Sequence, residues 1–392
     1  MNLDLLRQET RGCADQLFLD SAGASLMPRS VVATLTDYLL QEEQLGGYEV
    51  ERRRAADLQQ LYGELAHLLH AQPHNFAFAW NATDAYSRAL SAIPFRAGDT
   101  ILTTDDDYIS NQLAFLALQK RYGVAVVRAR NLPTGDLDLD DFAQQLRRHC
   151  PVLVAVTHMP TNSGLVQPVV AIGELCRQTE TWYLVDACQS VGQAVVDVQA
   201  IGCDFLNATG RKFLRGPRGS GFLYVSDRAL QAGLEPLFID RRGAEWTGPA
   251  TYRPRPDGRR FEQQELAAPA VGLAEAVRYA NAVGPAAIQA RNAHLATYLR
   301  QQLAQHAGLR LLDQGAELSS IVTFEAPGVA LADVSAWLTA HQVAHSVSLK
   351  PYALLDFTHK QVDGAIRLSP HYFNTLAEID QTADLLAAMP TR

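Results

Sequence analysis

The segments VLVAVTH (152–158), VVAIGELCRQ (169–178) and TWYLVDA (181–187) follow one another in the middle of the chain. The first and the third are short, continuous apolar runs, which are typical of strands buried on both faces. The second carries apolar residues at helical spacing, which predicts an amphipathic helix. Strand, helix and strand in this order predict two parallel strands with a helix packed across them.

The same alternation extends from about residue 75 to residue 226. Amphipathic stretches at helical spacing separate further apolar runs. These additional predicted strands are NFAFAWN (75–81), DTILTT (99–104), VAVVRAR (124–130) and GFLYV (221–225). The pattern predicts an α/β fold with a mostly parallel sheet that helices cover on both faces.

Two domains and an N-terminal arm are expected. The large α/β domain is predicted to span 26–265, preceded by an arm over 1–25. Residues 266–392 begin with two helical stretches and continue with alternating strands and helices, which predicts a small α+β domain. The segment 241–263 is dense in arginine, proline and glycine and is predicted to be irregular.

The composition excludes several classes of protein. The 392 residues are 47% hydrophobic and 19% charged, with a formal net charge of -8. This rules out a disordered or fibrous chain, and it argues against binding to nucleic acid or to an anionic membrane. No apolar run approaches the roughly 20 residues of a membrane span. Five cysteines without a CxxC pair favour a reduced protein, so a cytoplasmic location is expected.

One of only four lysines has an unusual position. Lys212 lies in NATGRKFLRGPRGSGFLYV (207–225), ahead of a glycine-rich loop that leads into a strand. Glycines allow the backbone to approach a ligand closely, and a lysine at such a connection can form a Schiff base. The alternative is an ordinary loop lysine.

Asp186 ends the apolar strand TWYLVDA, at the edge where open α/β sheets bind their ligands. A carboxylate there could keep a pyridine nitrogen protonated, as pyridoxal phosphate requires of its protein partner. Gln189 follows three residues later and could donate to the phenolic oxygen of the same cofactor. Taken alone, Asp186 could equally be a helix N-cap.

A phosphate site is predicted where the strand NFAFAW ends. Ala82, Thr83 and Asp84 open a helix there, and free amides with a threonine hydroxyl form a natural phosphate site. A simple N-cap accounts for the same residues. Tyr108 follows the strand DTILTT and could stack on a cofactor ring, or it could be a packing residue.

Four segments in order resemble the class V aminotransferase family, whose members are fold-type-I enzymes that use pyridoxal 5'-phosphate. The lysine segment shows an acid with apolar residues, small residues, a basic residue before the lysine and a Gly-x-Gly strand. The resembling segments are FLDSAGASLMP (18–28), VDACQSVGQAVVDV (185–198), CDFLNATGRKFLRGPRGSGFL (203–223) and IRLSPHYFNTLAEID (366–380). The most similar branch holds isopenicillin N epimerase-like proteins and cysteine C–S lyases, including the sulfoxide lyase of the ergothioneine pathway.

This resemblance implies a homodimer that has its active site at the subunit interface and takes an amino acid as its small-molecule substrate. It implies that Lys212 carries the cofactor, that Asp186 holds the pyridine nitrogen and that Gln189 contacts the phenolic oxygen. Further implied contacts are Thr83, Thr209 and Arg211 for phosphate, Tyr108 for ring stacking, Thr161 or Asn162 near the phenolic side and Arg367 for the substrate carboxylate.

The chain departs from the family pattern in two places. Glu265 stands where relatives often place a threonine that reaches the phosphate of the other subunit, and Trp246 or Thr247 could replace that contact. In addition, no cysteine follows Cys203, whereas cysteine desulfurases carry a nucleophilic cysteine in their C-terminal half. Cys188 is interpreted as a small buried residue.

The predicted reaction is β-elimination from a cysteine-derived amino acid, which is the activity of a C–S lyase. Transamination and epimerisation remain open as alternatives on the same scaffold, as does a protein of this fold without activity. A persulfide-forming desulfurase is disfavoured. Six arginines of the later loops are interpreted as solvated residues rather than as an anion site; they are Arg215, Arg218, Arg241, Arg242, Arg253 and Arg255. The role of Lys350 stays open.

Overall fold

The computed structural model describes residues 1–263 and 266–390. In chain order, the strands are β1 (Leu17–Phe18), β2 (Phe76–Ala79), β3 (Thr100–Thr103), β4 (Ala125–Arg128), β5 (Leu153–Thr157), β6 (Trp182–Asp186), β7 (Phe205–Thr209), β8 (Gly221–Val225), β9 (Ala244–Gly248), β10 (Thr251–Pro254), β11 (Arg310–Leu311), β12 (Val322–Glu325), β13 (Val343–Ala344), β14 (Ser346–Leu349) and β15 (Gly364–Leu368).

The α-helices are numbered in the same way. They are α1 (Leu3–Gln8), α2 (Ser21–Ala24), α3 (Arg29–Leu45), α4 (Gly47–Arg53), α5 (Ala55–Leu69), α6 (Ala82–Ala92), α7 (Ile109–Tyr122), α8 (Leu139–His149), α9 (Val169–Cys176), α10 (Val198–Ile201), α11 (Asp227–Gln231), α12 (Ala268–Val283), α13 (Pro285–Ala304), α14 (Leu331–Ala340), α15 (Leu354–His359) and α16 (Leu376–Ala387). None of the described helices is both long enough and apolar enough to cross a membrane.

Seven strands form the large sheet, in the order β2-β8-β7-β6-β5-β3-β4. The pairs among β7, β6, β5, β3 and β4 are parallel, and β8 runs antiparallel to both of its neighbours, β7 and β2. The six strands predicted from the sequence are all present, so the predicted α/β fold with a mostly parallel sheet is confirmed. The pattern missed β7, the strand that precedes Lys212.

Both faces of the large sheet are covered, as the continuous apolar strands require. Along β5, Val154 and Val156 belong to one buried cluster, whereas Leu153 and Ala155 belong to another. Successive side chains of a strand point to opposite faces, so the two clusters lie on the two sides of the sheet. This double burial explains why β5 shows no polar alternation.

A second sheet has four antiparallel strands in the order β11-β12-β15-β14. It shares a separate buried cluster with α13, α14 and α16, to which Leu299, Phe324, Val334, Ile366 and Ile379 belong. α12 follows the predicted boundary at residue 265 but packs in a cluster of the large sheet. The boundary itself stays a prediction.

The prediction of an irregular segment over 241–263 is wrong in part. β9 and β10 pair as an antiparallel hairpin that projects exposed side chains, and Trp246 on it is 81% exposed. Arginine, glycine and proline lowered the apparent strand propensity of this segment. Glu265, which stands at the position of the family threonine, lies outside the described residues.

Candidate active site

A cavity of about 260 Å³ lies at the carboxyl ends of β5, β6 and β7. The last residues of these strands, Thr157, Asp186 and Thr209, all line it. Open α/β sheets bind ligands at this edge, because the loops that leave neighbouring strands meet there. The predicted site residues that line the cavity are Ala82, Thr83, Tyr108, Asp186, Gln189, Thr209, Arg211 and Lys212.

Lys212 lies in the loop that follows β7. The loop folds back on itself, since the carbonyl of Lys212 accepts from the amide of Arg215 at 2.8 Å and the amide of Gly216 donates to the carbonyl of Gly210 at 2.7 Å. The Lys212 side chain is buried. Burial lowers the pKa of its amine, and the charge of Arg211 acts in the same direction. A larger fraction of the amine is therefore uncharged and nucleophilic at neutral pH than for an exposed lysine.

Asp186 is buried at the end of β6 and is held by two donors. Its Oδ1 accepts from the amide of Cys188 at 2.9 Å, and its Oδ2 accepts from Nδ2 of Asn111 at 3.0 Å. Burial raises the pKa of the carboxyl, while these hydrogen bonds and the charge of Lys212 act against that rise. A carboxylate held in this way can accept a further hydrogen bond from a protonated ring nitrogen in the cavity.

The N-terminus of α6 forms another wall of the cavity. The helix begins at Ala82, and the side chain of Asn81 caps it by accepting from the amide of Asp84 at 2.9 Å. The backbone of β8 approaches closely, because a Cβ at Gly221 would lie 3.0 Å from the carbonyl carbon of Asn81. With the hydroxyl of Thr83 and the guanidinium of Arg211 in the same lining, this end of the cavity suits a phosphate.

Asp84, by contrast, faces away from the cavity. Its carboxylate pairs with Arg88 at 2.5 Å and accepts from the amide of Trp80 at 2.9 Å. Each helical residue is rotated by about 100° from the previous one, so neighbours in the first turn face different surroundings. The structure therefore places Thr83 in the lining and uses Asp84 in an ion pair with Arg88.

Gln189 and Thr161 meet on the side of the cavity next to the N-terminal arm. Nε2 of Gln189 donates to Oγ1 of Thr161 at 2.6 Å and to the carbonyl of Ala22 at 3.1 Å. Of the two residues that the resemblance left open, Thr161 lines the cavity. Asn162 instead donates to the carbonyl of Tyr352 at 3.1 Å, so the structure does not bring it to the lining.

Arg367, on β15, lies behind Thr161. Its Nη1 donates to the carbonyl and to Oγ1 of Thr161 at 3.0 and 2.9 Å, and its Nη2 donates to Asp20 at 3.1 Å and to Ser346 at 2.9 Å. Among the described residues, its Nε has no hydrogen-bond partner although it is buried. The guanidinium is thus close to the cavity and retains an unused donor, which fits the predicted carboxylate site.

The sequence interpretation missed several lining residues. Asn81, Asn111, Thr157 and Met159 all line the cavity. Thr157 ends β5 and is the last residue but one of the predicted strand 152–158, so it could have been found by the same argument as Asp186. No local pattern marks Asn111, because its contact with Asp186 joins residues 75 positions apart.

The residues of this cavity fit pyridoxal phosphate. A buried amine, a buried carboxylate and a phosphate-binding helix terminus match the three polar parts of the cofactor. Oε1 of Gln189, a residue of the lining, is a buried polar atom without a partner among the described residues, as expected where a polar ligand belongs. The fold and the site define a pyridoxal-phosphate-dependent enzyme of fold type I.

The chain belongs to the class V aminotransferase family. The family model described as Aminotransferase class-V matches residues 17–382. The resemblance seen in the sequence, the fold type and the cofactor are thereby confirmed.

Curated relatives cover nearly the whole chain. A probable cysteine desulfurase of Methanothermobacter thermautotrophicus is 28% identical over 98% of both chains. A probable hercynylcysteine sulfoxide lyase of Mycobacterium tuberculosis is 30% identical over 95% of this chain and 90% of its own. The isopenicillin N epimerase of Streptomyces clavuligerus is 28% identical over 86% of each chain.

Solved structures share the fold. A cysteine desulfurase of Thermococcus onnurineus superposes with a TM-score of 0.91 at 23% identity, over 98% of this chain and 97% of that chain. The cystine C–S lyase C-DES superposes with a TM-score of 0.86 at 22% identity, over 97% of this chain and 99% of that chain. At these identities the superpositions establish the fold and leave the reaction open.

Proposed function

We propose that the protein catalyses β-elimination from a cysteine-derived amino acid and is a C–S lyase. The C–S bond of the substrate breaks and the sulfur leaves with its substituent as a thiol or sulfenic acid. Water then releases the remaining carbon skeleton as pyruvate and ammonia. Relatives that bear the names of sulfoxide lyase and cysteine desulfurase support a substrate of this class.

The positions of the cysteines favour elimination over the desulfurase reaction. A desulfurase needs a thiolate that attacks the sulfur of the substrate, and no cysteine follows Cys203 in this chain. Of the five cysteines, only Cys188 lines the cavity. Its backbone amide donates a hydrogen bond to Asp186. Burial raises the pKa of its thiol, and this makes Cys188 a poor nucleophile. Expulsion of the sulfur without its capture by the protein is then the simpler reaction.

In the proposed reaction, each polar side chain of the cavity has a separate role in binding or in proton transfer. The bound cofactor supplies an electron sink for the α-carbon of the amino acid. Lys212, the one amine among the described lining residues, would hold the cofactor and later take the α-proton. Asp186 would keep the proton on the ring nitrogen, and Gln189 with Thr161 would orient the phenolic side. Arg367 would bind the α-carboxylate.

The deciding experiment is an assay of pyruvate release. Cofactor-loaded protein is offered a panel of cysteine S-conjugates and their sulfoxides, and Arg367→Gln is assayed beside the natural protein. We expect pyruvate from at least one compound. We expect Arg367→Gln to raise KM by about 10- to 100-fold, because a charge-assisted hydrogen bond to the carboxylate is lost.

Two results would count against the proposal. Absence of pyruvate from fully loaded protein across the panel would exclude the elimination and favour transamination or epimerisation. An unchanged KM in Arg367→Gln, with pyruvate still formed, would place the carboxylate site elsewhere. Absorbance of the bound cofactor, measured before each assay, ensures that the variant and the natural protein are equally loaded.

We further propose that the protein is a cytoplasmic homodimer. Large apolar side chains remain exposed on α3, on α4 and on the loop and hairpin that follow the large sheet. These side chains are Leu39, Leu40, Tyr48, Leu237, Phe238 and Trp246. Large apolar side chains that stay exposed in one subunit are the kind that a subunit interface would cover. Sedimentation equilibrium is expected to give twice the chain mass of 42.9 kDa, and a monomer at micromolar concentration would refute the dimer.

A further inference from the structure

Asp107, a residue outside the cavity lining, collects four hydrogen bonds just before α7. Its Oδ1 accepts from the amide of Tyr108 at 2.7 Å, from Nδ2 of Asn111 at 2.9 Å and from Oγ1 of Thr157 at 2.5 Å. Its Oδ2 accepts from Nε2 of Gln112 at 2.7 Å. The carboxylate is thus fixed from α7 and from the end of β5 together.

Asn111 connects this carboxylate to Asp186. The same Nδ2 that donates to Asp107 also donates to Oδ2 of Asp186 at 3.0 Å. An amide nitrogen carries two hydrogens, so both are used, one for each carboxylate. The Asn111 side chain is buried. Two acidic groups are therefore held at a fixed separation on either side of one nitrogen.

The charge of Asp107 is not neutralised locally. None of the ion pairs formed by the described residues includes Asp107. The titratable groups that face the two carboxylates are the phenol of Tyr86 from α6, the thiol of Cys188 after β6 and the amine of Lys212 after β7. Lys212 is the only cation among these three, and it acts on Asp186. Burial and the charge of Asp186 raise the pKa of Asp107, while its hydrogen bonds from Thr157, Asn111 and Gln112 act against that rise. While Asp107 is ionised, its negative charge stabilises a proton on a ring nitrogen that is bonded to Asp186.

We propose that Asp107 is a positioning residue that acts on Asp186 through Asn111 and so strengthens the hold of the site on the proton of the cofactor's ring nitrogen. The same carboxylate fixes the backbone of Tyr108, whose side chain lines the cavity. One residue would then set both the charge behind the ring nitrogen and the position of the stacking aromatic. The inference rests on the role of Asp186 in the proposed function.

The test is nitrogen-15 NMR of protein loaded with cofactor labelled at its ring nitrogen. The chemical shift distinguishes the protonated from the unprotonated nitrogen, and a pH series gives the midpoint of proton loss. Asp107→Asn removes a negative charge and disfavours the proton, so the midpoint should fall by about one pH unit. Asp107→Ser serves as a second neutral variant if Asp107→Asn does not fold.

Asp105→Asn is the matched control. Asp105 lies in the same loop, and its carboxylate is oriented toward Arg128 and His359 at 3.9 Å from each. We expect this variant to leave the midpoint unchanged. If Asp107 had only a structural role, both Asp107 variants would lower the melting temperature and leave the midpoint in place, and that result would overturn the inference.

Asp186→Asn tests the role of Asp186 separately from the role of Asp107. With this variant the ring nitrogen should lose its proton throughout the pH series. If the proton remains, the assignment of Asp186 in the proposed function fails. If the proton is lost there but the midpoint is unchanged in Asp107→Asn, the proposed function stands and only the inference about Asp107 fails.

Discussion

Lys212→Ala should lose covalent cofactor and turnover together, while the fold is preserved. General acid-base catalysis alone contributes about 10²- to 10⁴-fold, and loss of the covalent attachment adds to that reduction. The side chain is buried in the cavity, where its amine is the one primary amine of the described lining. Borohydride reduction followed by mass spectrometry should show the cofactor mass on the natural protein and none on the variant.

The control for this variant is Lys120→Ala. Lys120 lies in the last turn of α7, where a basic side chain complements the helix dipole, and it is exposed. Its removal should change neither the cofactor mass nor the turnover. Undiminished turnover in Lys212→Ala, measured with the substrate that releases most pyruvate, would refute the assignment of the active site.

Arg215→Ala is expected to lower the free energy of unfolding by about 3 to 5 kcal/mol, because it leaves a cavity and removes hydrogen bonds in the core. The side chain is 1% exposed. Its guanidinium lies over the rings of Phe373, Tyr372 and Tyr279 at 4.7, 5.1 and 5.7 Å. It also donates to the carbonyl of Leu26 at 2.8 Å, to the hydroxyl of Tyr372 at 2.7 Å and to Thr10 at 2.5 Å.

Arg218 offers the matched control in the same loop, since its side chain is exposed. Arg218→Ala should change the free energy of unfolding by less than about 0.5 kcal/mol, as is usual for surface positions. Denaturation by urea of both variants in the cofactor-loaded state measures the difference. Equal stability of the two variants would show that the buried arginine does not hold the termini to the lysine loop.

Arg215 also corrects an interpretation of the sequence. The sequence predicts a solvated loop arginine at this position, but among the described residues Arg215 is the largest of the fully buried side chains. Its backbone has φ +61, a left-handed conformation that is uncommon outside glycine. Nothing in the neighbouring sequence distinguishes it from the exposed Arg218. Most of the partners that contact it come from the two ends of the chain, and Tyr279 comes from α12.

In the active site, too, the sequence identified some residues correctly and gave no indication of how other side chains are oriented. Asp186 and Thr83 were found because they lie at or just after the ends of predicted strands, and strand ends of a parallel sheet share one edge. Lys212 was found because lysine is rare in this chain and this one precedes a glycine-rich loop that leads into a strand. Asp84 was included because it adjoins Thr83 in the first turn of the helix, and Asn162 because the family resemblance implied it or its neighbour Thr161, yet the side chains of both face other partners. Adjacency along the chain places a backbone near the cavity but does not orient a side chain toward it.

By itself, the sequence determined the α/β fold, the class V family and the cofactor. It could do so because buried strands, strand ends and the lysine loop each leave a pattern within a few consecutive residues. Only the tertiary structure decided which side chains meet. The contacts of Arg367 with Asp20 and of Asn111 with Asp186 join residues 347 and 75 positions apart. Such contacts depend on how distant segments pack, and local sequence carries no pattern for that packing.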